Sequence, residues 1–213
     1  MIHNNTLFNG DIKNEFDEQL MAATFIKEES IVLEIGANIG RNTNTIARLL
    51  KDSRNLVSLE TRKDLCDILR MNRDNNNLNF IIENSALSLN FMIQHKNSWD
   101  AIPVSSYEEI KGIEDFFVIN TISFDYLEKR YLENKHFDTI VADCEGSLYY
   151  IFQDFPTILE HIDTIIMEND YRNISHKKYV DEFLLTNGFI CIYRKSGGWE
   201  PCYNCFYETW IKL

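Results

Sequence analysis

The sequence predicts an α/β protein built on a doubly wound, mostly parallel sheet that closes with an antiparallel terminal strand. Three observations carry that prediction. Short apolar runs rich in β-branched residues alternate with amphipathic helical stretches along most of the chain, the pattern of parallel strands joined by crossover helices. Several of those runs end in glycine or a carboxylate, where ligands approach open α/β sheets. The last two runs have only a Gly/Pro/Asn-rich loop between them, too little for a crossover helix, so they return antiparallel.

The elements follow in order. Residues 14–27 read as a helix, with Phe16, Leu20, Ala23, Phe25 and Ile26 at near-helical spacing. Residues 30–36 are a short apolar run ended by glycine, which reads as a buried parallel strand. A helix over 41–50 places Ile46, Leu49 and Leu50 on one face. A strand over 56–59 ends at Glu60, a helix follows over 63–71, and a third strand covers 79–82. Further on come a helix over 124–132, a strand over 139–142 ending at Asp143, and a helix over 148–155. A strand over 164–167 ends at Glu168, a helix covers 178–185, and the closing pair spans 188–193 and 206–211. Phe206, Tyr207 and Trp210 in the last run read as core cover.

Residues 87–122 are the least regular stretch, with strand-like runs at 90–93 and 117–119 around a polar middle. Segments this long inside a compact domain often serve as lids, and this insert is read as the cover over a substrate. Residues 1–213 form one domain, with an N-terminal helical segment over 1–29 and no internal repeat.

Composition narrows the class. The 213 residues are 45% hydrophobic and 25% charged, ordinary for one globular domain. A net charge of −12, from 21 basic and 33 acidic side chains, repels a phosphate backbone, so nucleic acid is not the expected partner. The five cysteines are scattered and odd in number, which fits reduced thiols in a cytoplasmic setting. Cys202 and Cys205 have half the spacing of a zinc site and no second half, so they read as an ordinary turn. Neither a leader of basic then apolar residues nor a window of about 18 apolar residues is present, and no membrane role is expected.

The chemistry sits at the strand ends. After the first strand, Gly36, Ala37, Asn38 and Gly40 form a bend at a helix N-terminus, where backbone amides approach a ligand closely. The full G-x-G-x-x-G of dinucleotide binders is absent. Glu34, just before the first glycine, suits a cationic ligand better than a pyrophosphate, which points to S-adenosylmethionine (SAM) as cofactor. Glu60 stands about 20 residues beyond the loop, placed to accept ribose hydroxyls. Ser85 and Ala86, after the third strand, are set to meet an adenine edge. Asp143, Glu145 and Glu168 bring candidate catalytic carboxylates from two further strand ends to the same rim, with Asp143 or Glu145 the first choice to accept a hydroxyl proton. Asp143 also reads as a cofactor contact. Glu168 and Asp170 are placed to orient an acceptor or, with Asp143, to hold a divalent metal. The histidines are less telling: His95 lies in the insert and is a minor candidate for the site, and His136 reads as surface on the opposite rim. No G-x-S-x-G or nucleophile elbow supports a hydrolase.

These residues resemble the FkbM family of SAM-dependent methyltransferases over about residues 31–194. The resemblance rests on residues 32–40, Glu60, residues 121–127, residues 137–146 and residues 164–168; the Asp143-x-Glu145-Gly146 element is its most distinctive part. It implies a Rossmann-like, seven-stranded methyltransferase sheet and O-methylation of a sugar, glycan or natural-product hydroxyl. The chain departs from the family at Val141, where a lysine is usual, and at Asn169-Asp170, where a histidine is frequent. The alternatives are a catalytically inactive SAM-fold binding or scaffold protein and a nicotinamide-dependent oxidoreductase, the latter disfavoured by the missing third glycine and the terminal hairpin.

Overall fold

A computed structural model describes residues 6–110, 114–133 and 135–213. The chain runs α1 (Phe16–Phe25), β1 (Val32–Ile35), α2 (Arg41–Leu49), β2 (Leu56–Leu59), α3 (Lys63–Asn75) and β3 (Ile81–Glu83). The next segment holds β4 (Ala86–Leu87), β5 (Phe91–His95), β6 (Ala101–Val104), β7 (Phe116–Ile119) and β8 (Thr121–Ile122). It continues through α4 (Phe124–Tyr131), β9 (Thr139–Ala142), α5 (Leu148–Asp154), β10 (Thr164–Glu168) and α6 (Ile174–Thr186) to β11 (Phe189–Lys195) and β12 (Tyr207–Lys212).

Seven strands form the central sheet in the order β11-β12-β10-β9-β1-β2-β3. The five strands from β10 to β3 are parallel, and β12 pairs antiparallel with both β10 and β11; the loop between β11 and β12 holds one 3-10 turn at Tyr203–Cys205 and no crossover α-helix. The chain steps outward from β1 to β3, then returns to β9 on the other side of β1, so strand order reverses there. Helices cover both faces, which is why β1, β2 and β9 are buried along their whole length. One face packs Leu33, Ile140 and Ile165 against Phe137, Phe152 and Leu184. The other packs Val32, Val141 and Ile166 against Met21, Ile46 and Leu69.

Register places the chemistry. Glu34 pairs with Ser58 on one side and Val141 on the other, and Val141 pairs with Ile166. These four share a face, because side chains alternate with a period of two. Two residues further on, Glu60, Asp143 and Glu168 emerge on that face at the carboxyl edge.

Several sequence expectations change, among them the end of α3, which runs to Asn75 rather than Met71. Helix α1 does not bury Phe16 and Leu20, which are 49% and 42% exposed; it buries Glu18, Gln19, Met21 and Ala22. Polar partners select that face: the Gln19 amide donates to the Ile12 and Asn14 carbonyls, and its oxygen accepts from the Thr45 hydroxyl. The insert is more regular than its sequence, since β5 pairs antiparallel with both β6 and β7 in a small three-stranded sheet. Helix α6 begins at Ile174, four residues before its expected start, with the Asn173 side chain capping the Ser175 amide. Among the described residues, no helix is long and apolar enough to cross a membrane.

The terminal hairpin is tied down by a buried charge. Glu208 is 0% exposed and accepts from Lys177 Nζ at 2.9 Å, Arg194 Nε at 2.6 Å, Asn169 Nδ2 at 3.1 Å and Trp210 Nε1 at 3.1 Å. Every oxygen of the carboxylate is engaged, the condition under which a buried charge is tolerated.

Candidate functional site

A cavity of about 440 Å³ opens at the carboxyl ends of β1, β2, β9 and β10, where strand order reverses. Its floor begins with the loop after β1. Gly36 has φ +92°, and a Cβ there would lie 1.7 Å from the Asp143 carbonyl oxygen, so only glycine lets this loop pass the end of β9. The Gly36 and Ala37 amides both donate to the Leu59 carbonyl, at 3.0 and 2.9 Å, which holds the loop against β2.

That loop fixes Glu60. The Asn38 amide donates to Oε2 at 2.8 Å and the Arg62 amide to Oε1 at 2.8 Å, so the carboxylate is oriented by backbone from both sides. A carboxylate oxygen accepts more than one hydrogen bond, leaving capacity toward the cavity. Burial raises the Glu60 pKa, opposed by the amides of Arg62 and Asn38. After β3, Asn84 donates to the Glu60 and Thr61 carbonyls at 2.8 and 2.9 Å, which positions Ser85 and Ala86 on the cavity wall.

Carboxylates dominate the opposite end. Glu18 from α1, Asp143 after β9 and Glu168 at the end of β10 present ligand atoms that all lie within 4.8 Å of one another. Burial, then the charges of Asp143 and Glu168, push the Glu18 pKa well above its ordinary value. Burial, then Glu168 and Asp170, do the same for Asp143. Burial also pushes Glu168 up to about 7, opposed by its hydrogen bond with Glu18 and assisted by Glu145. Glu145 lines the cavity as well, its pKa raised by burial and by Asp100 against the pull of Arg172. Among the described lining residues Arg41 is the one cation, and it pairs with Glu15 at 2.7 Å.

The insert supplies a wall through Met92, Gln94, Trp99 and Ala101. Gln94 accepts from the Thr61 hydroxyl at 2.8 Å and donates to the Trp99 carbonyl at 2.8 Å, coupling the insert to the end of β2. The Arg62 guanidinium lies 5.2 Å from the Trp99 ring, and Asp100 pairs with Arg172 at 2.8 Å. The turn at Trp99-Asp100 is thereby held from both rims.

Of the residues singled out in the sequence, Gly36, Asn38, Glu60, Ser85, Ala86, Asp143, Glu145 and Glu168 line the cavity. Glu34, Ala37 and Gly40 do not. Glu34 is 3% exposed beneath α2 beside the Thr43 and Ser58 hydroxyls, and burial pushes its pKa up to about 7. Gly40 takes φ +92° at the start of α2, where a Cβ would meet Leu69 at 2.4 Å. Asp170 is 3% exposed and lies off the cavity, so Glu18 takes the place expected for it beside Asp143 and Glu168. His95 stacks edge-on against Phe116 rather than reaching the site. Val141 is 3% exposed within the apolar cluster under α1.

Sequence reasoning missed Glu18, Arg41, Trp99 and Tyr150, which also line the cavity. The available signal for Glu18 was its spacing, since Met21 and Ala22 follow it at the third and fourth positions and share its buried face.

No family model and no curated protein matches the chain. Solved structures do. An O-methyltransferase from Bacillus cereus in complex with SAH is 16% identical, with a TM-score of 0.54, covering 93% of this chain and 80% of that one. A SAM-dependent O-methyltransferase from Thermotoga maritima is 12% identical, with a TM-score of 0.56, over 96% of this chain and 68% of that one. An rRNA methylase from Streptococcus thermophilus is 12% identical, with a TM-score of 0.53, over 96% and 99%. Likeness at these identities is likeness of fold, and the chain has the Rossmann-like fold of these methyltransferases, a mostly parallel seven-stranded sheet with its last strands antiparallel.

Proposed function

We propose that the chain is a SAM-dependent methyltransferase that methylates a hydroxyl of a small acceptor, a sugar, a glycan unit or a natural product. The observation that carries this reading is that Glu60, oriented by the Asn38 and Arg62 amides, shares one cavity with Asp143, Glu145 and Glu168 at the strand-order reversal. The donor set fits a nucleoside with a cationic tail. Glu60 accepts ribose hydroxyls, Ser85 and Ala86 face the adenine edge, and the turn at Gly36 and Asn38 lies toward the amino-acid end. SAM, when bound, supplies a methyl group already activated by its positive sulfur. What remains for the protein is positioning of the acceptor oxygen and removal of its proton. Glu168, held near neutrality by burial, takes that proton, with Asp143 and Glu145 orienting the hydroxyl.

The FkbM-like motifs favour oxygen as the acceptor atom. Because the position of the family lysine is a buried valine, proton acceptance falls to the carboxylates. The acidic cavity and the net charge of −12 favour a small acceptor over RNA.

Calorimetric titration of SAM and SAH into the wild type and Glu60→Ala tests the reading. Micromolar binding by the wild type, weakened at least about tenfold in the variant, is expected from the loss of charge-assisted hydrogen bonds. Absence of binding by the wild type would sink the assignment. Val141 favours one second reading, a binding-only protein; SAM affinity without methyl transfer to any hydroxyl acceptor would select it.

A further inference from the structure

Recognition of an adenosine engages Glu60 on the β2 side and leaves Glu18, at the other end of the cavity, without a role. Three interstrand steps separate β2 from β10, about 14 Å at ordinary strand spacing. At that far end, the ligand atoms of Glu18, Asp143 and Glu168 lie within 4.8 Å of one another. Glu18 lines the cavity, is 4% exposed, and its Oε1 has no hydrogen-bond partner among the described residues. A buried carboxyl oxygen without a donor is unfavourable, and a ligand that brings a donor relieves it. Among the described lining residues no cation is left for it, since Arg41 pairs with Glu15 and Val141 is apolar.

The lining, which includes Trp99 and Tyr150, favours an organic cation over a bare ion. A protonated primary amine carries three N–H donors, and N···O distances of about 2.8 Å in tetrahedral directions set their acceptors about 4.6 Å apart. Glu18, Asp143 and Glu168 offer ligand atoms within 4.8 Å of one another, close enough for one such nitrogen to reach all three. The Trp99 and Tyr150 side chains line the same cavity and give apolar surface to the carbon frame of an amine.

We propose that Glu18, Asp143 and Glu168 form a receptor for a protonated primary amine, and that the acceptor is a hydroxyl-bearing amine, an amino alcohol or an amino sugar. The acceptor's role rests on the methyltransferase reading; the receptor stands on the carboxyl geometry. The cofactor's own amino group has the same chemistry, so the test separates the two sources.

Calorimetry on the full chain compares the wild type with Glu18→Gln and Glu168→Gln, the second variant standing in should the first fail to fold. The probes are SAH, 5′-methylthioadenosine (an adenosine without the amino-acid end), glucosamine, glucose and Mg²⁺. Expected is glucosamine binding to the SAH-saturated wild type, at least about tenfold weaker in both variants, with no response to glucose. Weakened SAH binding in the variants, with 5′-methylthioadenosine untouched and glucosamine silent, would give the receptor to the cofactor and overturn the acceptor class. Variants that bind every probe as the wild type does would overturn the receptor. So would stoichiometric Mg²⁺ binding that Glu18→Gln abolishes. If the wild type binds neither nucleoside, the methyltransferase reading fails, and glucosamine titrated into the unliganded chain still decides the receptor.

Discussion

Gly36 and Glu34 are one pleat apart and carry opposite kinds of constraint. A Cβ at Gly36 would penetrate the Asp143 carbonyl, which is backbone and has no side chain to swing away. Gly36→Ala is therefore expected to cost more than about 2 kcal/mol, from the collision and the positive φ together. Urea unfolding measures it, and an unchanged midpoint would contradict the packing at β9. Glu34 is a titration constraint. Its carboxyl is raised from 4.5 to about 7 by burial, so the folded state holds a proton that the unfolded chain releases earlier. The stabilising contribution is fully present below pH 4.5, shrinks as pH rises, and is gone above about 7. Glu34→Gln should remove that share of the pH dependence, roughly 3 kcal/mol between those limits. Unfolding free energies of both proteins across the range provide the check, and parallel profiles would refute it.

At the scale of elements, two attachments hold the site's frame. The hairpin β11-β12 is fastened through Glu208, which gathers Lys177, Arg194, Asn169 and Trp210, and Asn169 directly follows Glu168. Removing that carboxylate leaves Lys177, itself 2% exposed, without its deepest partner, although Asp181 still faces it. Glu208→Ala should destabilise the fold by about 3–5 kcal/mol, as breaking one side of a buried pair does. Thermal denaturation tests this, and a melting point near wild type would show the network to be dispensable. The insert is fastened more lightly, by Arg62 over Trp99 and by the Asp100–Arg172 pair. Trp99→Ala removes one wall and one cation–π contact, worth about 0.5–1 kcal/mol. The expected outcome is a roughly two- to fivefold weaker acceptor or cofactor interaction with little change in melting temperature. A large stability loss with unchanged binding would make Trp99 a packing residue.

At the scale of the whole molecule, charge and topology act together. With −12 overall and carboxylates around the cavity, the chain should not retain RNA at physiological salt, which a gel-shift titration decides. The sequence by itself determined the strand and helix alternation, the antiparallel ending, and the positions of Gly36, Glu60, Asp143 and Glu168 at strand ends. Those features are local, since short apolar, β-branched runs and the residue that follows each run can be read without knowing their neighbours. Strand order, register and helix docking were decided only in three dimensions. Register put Glu34 and Val141 one pleat below the rim, and packing turned Asp170 away from the cavity. Docking of α1 rotated Glu18 inward and left Phe16 and Leu20 exposed, against their hydrophobicity. Pairing within the insert delivered Trp99 to the cavity wall. In each case the deciding partner lies far along the chain, and hydrophobic pattern alone does not say which long-range neighbour a side chain will meet.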